Sequence, residues 1–424
     1  MRDDELLDRL QRGAFDYFVD ATNPDNGLVA DTSRGASPAS IAVVGFGLSV
    51  LAVAAERGWL ARADAAARAL VTLRFFASSP QSPDPAATGY RGFYYHFLDH
   101  RGTGRRAWHS ELSPIDTALL FAGVLTAGAY FTADIADEKE IRALSRDLYG
   151  RVDWDWARNG KATLAQGWKP ESGFYHYGWE GYSEASILYV LALASPTHPV
   201  PAASHTAWSE TYQWEHIYGS DLLYAGPLFV HQFSHAWIDF REIKDAFMRE
   251  KGSDYFENSR RAIDVQREYA RRDPKQCGYG VDCWGLSAGD GPGSGTKPEH
   301  GRERLFFNYT ARGVPFGPDD GTICPAAVLA SLPFAPAQAL SAVRHFLELH
   351  PEWTNTWRLP SGFNRVAPGP DERGWVSEGF FGLDQGLVVL MIENHRSGLI
   401  WRLMRECAPI RTGLQRAGFE GGWL

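Results

Sequence analysis

Two stretches of this chain are apolar on every side of a helix. Ser40–Arg57 reads SIAVVGFGLSVLAVAAER and stops at Gly58; Gly181–Ala194 contains the run Ile187–Ala194 and stops at Ser195–Pro196. A helix without a polar face has to be enclosed by other elements. Elsewhere the chain offers helices suited to enclosing them. Asp3–Val19 places Leu6, Leu7, Leu10, Ala14, Phe15 and Phe18 on one face. Ala61–Ser78 has a polar face of Arg62, Asp64, Arg68 and Arg74, and Asp137–Val152 and Ser253–Arg272 are charged on one side. Ser113–Phe131 is a helix with Ser113 as N-cap and Pro114 at its first position. Thr322–Leu332, Pro336–Leu349, Phe380–Glu393 and Leu399–Cys407 read as helices, and Thr206–Tyr218 and Tyr224–Phe240 as helical in part. That makes ten to twelve helices with no strand alternation and no repeat of fixed period. The GYRGFYYHF segment, Gly89–Phe97, is a hairpin or an aromatic loop. An inner ring of apolar helices wrapped by an outer amphipathic ring fits the contrast: an all-α chain, an α/α toroid of six hairpins. No linker divides it, so residues 1–424 form one domain. The Gly- and Pro-rich stretch Asp273–Asp320 is long for a loop in a compact domain, which marks it as functional or disordered, and its aromatics and acids favour functional.

The 424 residues carry a net charge of −9. With no Lys/Arg cluster beyond the short, glycine-interrupted Arg101–Arg106, a nucleic-acid surface is excluded as a reading. Ile41–Ala55, the longest uncharged apolar run, is too short and too rich in Gly and Ser to span a bilayer. The charged, amphipathic N-terminus is not a signal peptide. The location reads as cytoplasmic as the sequence stands, and periplasmic for a chain that has lost a leader. Cys277, Cys283, Cys324 and Cys407 form no metal pattern. Cys277 and Cys283 are close enough to pair in an oxidising compartment; buried thiols are the preferred reading. The oligomeric state is left open.

Gly178–Pro199 sets acids among aromatics at the start of a buried helix. Glu180 and Glu184 are four residues apart, one turn if the segment is helical, near Trp168, Tyr175, Tyr177, Trp179 and Tyr182. The 15 Trp, 17 Tyr and 24 Phe also suit a sugar cleft, since pyranose faces stack on indole, although large helical cores use aromatics too. Solvated acids at a favourable helix N-terminus are the plain alternative. His231, His235 and Asp239 would share a helix face, but Gln232 stands where the zinc-protease pattern needs Glu, so no metal is expected there and hydroxyl binding or core hydrogen bonding is preferred.

Seven ordered segments resemble the bacterial glycoamylase-like domain and, within it, the β-1,2-glucanases of glycoside hydrolase family 144. They are Pro38–Trp59, Ser113–Leu125, Gly173–Pro199, Pro227–Arg241, Trp284–Pro292, Gly321–Pro336 and Gly379–Trp401. The resemblance implies an (α/α)6 barrel, no cofactor, a glucan or its oligosaccharides as partner, and inverting hydrolysis of β-1,2 linkages. It places family acids at Glu184 (GYSE), Asp384 (GLDQG) and Asp116. Endo-acting members resemble D-x-x-E-T where this chain has Ser113-Pro114-Ile115-Asp116-Thr117, so one acid is lost and another shortened.

Inversion needs one protonated carboxyl and one ionised carboxylate that activates water. Glu184 beside the apolar run is the candidate acid, with Glu180 as the alternative. Asp384, a lone acid in GFFGLDQGLVVLM, is the candidate base; a buried salt bridge to an arginine is the alternative. For Asp116 the resemblance implies a supporting subsite role, against simple N-terminal electrostatics; Glu111 is a spare. Trp168, Tyr175, Trp179, Trp284 and Trp375 are stacking candidates, and Glu180, Arg91, His231, His235 and Asp290 candidate hydroxyl binders. Two other readings compete: a transglycosylase or retaining enzyme on the same scaffold, and a non-catalytic glucan-binding protein.

Overall fold

The computed structural model of the protein describes residues 1–299 and 302–424. Among them the helices are α1 (Asp3–Ala21), α2 (Ile41–Glu56), α3 (Arg62–Ser78), α4 (Pro114–Tyr130), α5 (Ala136–Gly150), α6 (Ser186–Ala194), α7 (Ala203–Ser209), α8 (Ala246–Glu250), α9 (Tyr255–Arg272), α10 (Pro325–Ala330), α11 (Pro336–Leu349), α12 (Gly382–Arg396), α13 (Leu399–Arg405) and α14 (Ala408–Arg416). No helix is long and apolar enough to cross a membrane among the described residues.

The apolar stretches are the enclosed ones. Every residue of α6 and α10 is buried, as is α4 from Pro114 to Ala127. α2 packs against α4 and α12, α4 against α6, and α10 against α12. Between α6 and α10 lies the segment 228–236, whose two 3-10 turns are the only helical part of the stretch Tyr224–Phe240 among the described residues. Its Ser234 hydroxyl accepts from the Ile187 amide at 3.1 Å and donates to the Glu184 carbonyl at 2.9 Å, so a side chain satisfies the first turn of α6. Gln232 donates to the Ala327 carbonyl of α10 at 2.8 Å. The amphipathic helices lie outside: α1 on α12, α3 on α2 and α5, α5 on α4, α11 on α10 and α14 on α6.

Several expectations need correction. The helix expected from Gly181 begins at Ser186, because Gly181 turns the chain at φ +77°. Thr206–Tyr218 holds α7 and then the first strand of a hairpin, Trp214–Ile217 with Ser220–Leu223, whose Tyr218 and Gly219 both have positive φ, the requirement of a two-residue primed turn. The absence of strands also fails. Loops carry ribbons such as Gly295–Glu299 with Arg302–Phe306, and a three-stranded sheet joins Thr322–Ile323, Phe363–Asn364 and Trp375–Val376. Most are two residues per strand, too short for alternation to register. All four cysteines are free and buried.

The α2–α4 contact is the tightest of the inner ones. A Cβ on Gly123 would lie 1.9 Å from the Gly45 carbonyl oxygen, and one on Gly45 2.2 Å from that of Leu119. Both obstacles are backbone and cannot swing aside. Gly123→Ala is expected to cost about 1–3 kcal/mol through overpacking, read as a lower urea midpoint; an unchanged midpoint would show that the helices can part freely.

Candidate active site

A cavity of about 940 Å³ opens where the inner helices begin. Asp116 reaches it from the first turn of α4, Glu184 from just before α6, and Asp384 from the first turn of α12. Loops 31–37, 96–97, 108–111, 288–290 and 309–311 complete the wall with Trp179, Tyr175, Gln166, Phe229, Phe233 and Phe381. Three acids at three helix starts share a physical reason: aligned peptide dipoles favour negative charge there, which partly offsets the cost of burial. Asp116 is held further by Ser113, whose hydroxyl accepts from the Asp116 amide at 3.2 Å and donates to its carboxylate.

Burial pushes the Glu184 carboxyl up to about 7, and the nearby charge of Asp116 adds to that. Asp384 is also pushed up to about 7, by burial first and by Asp31 and Asp290, against a lowering hydrogen bond from Ser361. Among the described residues no cation figures among the groups acting on either carboxyl, so the arginine salt bridge considered for Asp384 is not what holds it. Asp384 Oδ2 is buried without a hydrogen-bond partner. A buried acceptor left unpaired is costly, and such groups concentrate where a ligand completes them.

Asp116 belongs to a charged cluster in the same cavity wall. His96 Nδ1 is 3.0 Å from Glu111 Oε1 and 3.7 Å from Asp116 Oδ2. Burial pulls His96 down, but Asp116, Glu111 and Asp31 together outweigh it and raise its pKa to about 9. Asp31 is raised to about 6, chiefly by burial. Glu111 is lowered: burial pushes it up, and the imidazolium of His96 more than reverses that. His96, Glu111 and Asp116 bring ligand atoms within 4.8 Å of one another, which is metal-like spacing. With His96 raised in this way, a cation at the trio would have to displace the imidazole proton.

In the cavity wall Asp290 is paired with Arg34 and accepts from Ser377 Oγ at 2.8 Å. Arg34 also donates to Ser377 Oγ at 3.0 Å and to the Glu378 carbonyl, and lies over the Phe381 ring at 5.1 Å. Three loops are thereby tied together.

Of the residues singled out from sequence, Glu184, Asp384, Asp116, Glu111, Tyr175, Trp179 and Asp290 line this cavity. The others lie elsewhere. Glu180 is exposed and accepts from Thr163 Oγ1 at 3.1 Å; the turn at Gly181 removes it from the Glu184 side. Trp168 packs on Tyr90 and Trp156, and Arg91 is paired with Asp153 at 2.8 Å. His231 and His235 are buried and neutral, driven down by burial to about 4 and about 3. His231 bonds the Ala225 carbonyl at 3.0 Å and His235 the Ser259 hydroxyl at 3.1 Å. Asp239 is taken by Arg241 and Arg405, which ends the one-face stripe. Trp284 is wholly buried in the core, and Trp375 packs against the core from its strand. Sequence reasoning missed Asp31, Arg34, His96, Trp108 and Tyr309. Each sits in a turn-rich or aromatic loop where no periodicity marks a facing direction.

The Glycoamylase family model matches residues 176–408, over half of the chain. The chain belongs to the Glycoamylase family. The matched span holds Glu184 and Asp384, while Asp116 and the His96 cluster precede it. A curated relative of this Glycoamylase chain, an exo beta-1,2-glucooligosaccharide sophorohydrolase (non-reducing end) from Parabacteroides distasonis, is 27% identical over 98% of the chain. The chain spans 58% of that relative's length. Among solved structures, an endo-beta-1,2-glucanase from Chitinophaga pinensis, in complex with sophorotriose and glucose, is 27% identical with a TM-score of 0.85 and full coverage of both chains. A beta-1,2-glucanase from Parabacteroides distasonis is 25% identical with a TM-score of 0.85, over 99% of this chain and 60% of its own.

Proposed function

We propose that the protein is a glycoside hydrolase acting on β-1,2-linked glucan or sophoro-oligosaccharides with inversion, Glu184 serving as general acid and Asp384 as general base. The observation that carries this reading is the pair of carboxyls itself: both line one cavity, both are raised to about 7, and neither is neutralised by a cation. A carboxyl that stays protonated near neutrality can protonate a glycosidic oxygen. An unpaired carboxylate oxygen can take a proton from water or from a substrate hydroxyl. Neither carboxyl figures among the groups that shift the other, which suits an inverting enzyme with room for water between its carboxyls. The substrate class rests on what the Parabacteroides and Chitinophaga relatives act on or hold. Asp116, Glu111, Tyr175, Trp179 and Asp290 are assigned to sugar binding. We infer that the succession of inner helices closes as an (α/α)6 toroid and that the chain is one domain.

The Arg34–Asp290 tie joins two separate loops of the cavity wall, a bridge that suits exo rather than endo action. The test is a product profile on linear β-1,2-glucan, with laminarin and cello-oligosaccharides as controls and early-time NMR of the anomeric carbon. One product size of inverted configuration is expected; retained configuration would move the assignment to a retaining enzyme. The same assay yields a pH profile. Below pH 7 Asp384 takes up its proton, and above pH 7 Glu184 loses its own. kcat/KM is expected to peak near pH 7 and fall about tenfold per unit on either side. A plateau from pH 5 to pH 8 would rule out this pair as the acid and base.

A further inference from the structure

Trp108 on the cavity rim has neither the exposure nor the backbone of a packing residue. It is 67% exposed, lines the cavity, and holds φ at 55°, with His109 after it at 48°. Side chains other than glycine avoid this left-handed region because Cβ crowds the following carbonyl oxygen, and two such residues in succession persist only where the surroundings impose them. Arg106 imposes them here. Its side chain is 2% exposed and lies over the Tyr95 ring at 4.7 Å. Nε donates to the Ser110 carbonyl, Nη2 to the His109 carbonyl at 2.9 Å, and Nη1 to Glu171 at 2.6 Å. The loop is clamped from beneath while its indole stands in solvent. Phe97 lies 5.0 Å from the indole between ring centroids, and stacks in turn on His96 at 3.9 Å. Three rings thus lead from the Glu111–Asp116 cluster outward to the rim.

We propose that Trp108 is a stacking platform for a glucosyl unit lying beyond the cleavage point, and that Arg106 is the positioning residue that holds it there. The inference rests on the carbohydrate reading above and says where the sugar chain leaves the cavity. A pyranose face of C–H groups covers an indole without requiring hydrogen bonds, which matches a site that offers an apolar plane at its mouth. A contact remote from the reacting bond acts alike on ground and transition states, so it sets KM rather than kcat.

The test titrates sophoro-oligosaccharides of graded length into Trp108→Gly and Trp108→Phe, each in a Glu184→Gln background that stops turnover, beside the background alone. Trp108→Gly is expected to weaken binding of the longer sugars about tenfold, to leave the shortest unchanged, and to be largely rescued by Trp108→Phe. Its thermal midpoint is expected to rise, because glycine occupies a φ of 55° without strain. Equal affinities, an equal loss at every length, or a lower midpoint would each overturn the proposal. If sophoro-oligosaccharides fail to bind while cello- or laminari-oligosaccharides bind with this Trp108 dependence, the platform stands and the substrate assignment falls. Binding of none of the three by the background protein defeats both.

Discussion

Glu184→Gln is expected to leave the protein folded and to reduce kcat on β-1,2-glucan by about 10²–10⁴-fold, the usual worth of a positioned general acid. The glutamine keeps the size of the side chain and loses the proton that the leaving oxygen requires. A second substrate separates this from general damage. An aryl sophoroside with an acidic phenol leaves without protonation, so the same variant should retain far more of its rate on that compound. An equal loss on both substrates would mean that Glu184 binds or positions, and would pass the acid's role to another group of the cavity.

The same substitution has a signed effect on stability. The folded carboxyl titrates near 7, above the ordinary glutamic acid value, because burial disfavours its charge. Between these values the folded state holds a proton that the unfolded chain has released, so the contribution of Glu184 to stability falls as pH rises. It is constant below the ordinary value and fully unfavourable above about 7. Glu184→Gln should therefore match the unaltered protein at pH 4 and exceed it by about 1–3 kcal/mol at pH 8. Denaturant midpoints at the two pH values measure it.

What could be read in advance followed the range over which a residue's neighbours are set. Ser40–Arg57 and the run Ile187–Ala194 declare their burial because no polar face interrupts them, and both became enclosed helices. Glu184 and Asp384 are legible for a related reason: each adjoins an apolar run, and the run fixes where the acid must sit. For Asp116 the residues alone give only a first-turn acid after the Ser113 cap, and its place in the site comes from the family resemblance. Glu180 misled because one glycine, Gly181, breaks the periodicity on which its placement depended. His231 and His235 misled because spacing without a helix places nothing; the segment folds as 3-10 turns around Ser234, whose partners are 47 and 50 residues away. His96 and Asp31 lie in loops, and their cluster exists only where three separate loops and α4 meet. No local pattern encodes such a meeting.

The largest stability effect is expected from Arg312, which does not itself line the cavity. Its guanidinium is fully buried and grips Asp320 through Nε at 2.7 Å and Nη2 at 2.9 Å. The same group donates to the carbonyls of Gly289 at 2.9 Å, Asp290 at 3.2 Å, Thr310 at 3.3 Å, Asn308 at 3.2 Å and Phe307 at 3.4 Å. One side chain thus fixes both loops that bring Asp290 and Tyr309 to the cavity. Arg312→Met leaves a buried carboxylate without its partner and should cost about 3–5 kcal/mol. Adding Asp320→Asn should return part of that loss, because the uncompensated charge is gone, whereas the loop carbonyls remain unpaired. Arg312→Lys should rescue little, since a single ammonium cannot reproduce a planar fork. The functional consequence separates this role from simple core packing. With Asp290 and Tyr309 loosened, KM for oligosaccharides should rise in Arg312→Lys even at temperatures where that variant is fully folded. A lysine variant with unaltered KM would show that the Asp290 loop keeps its place without this clamp.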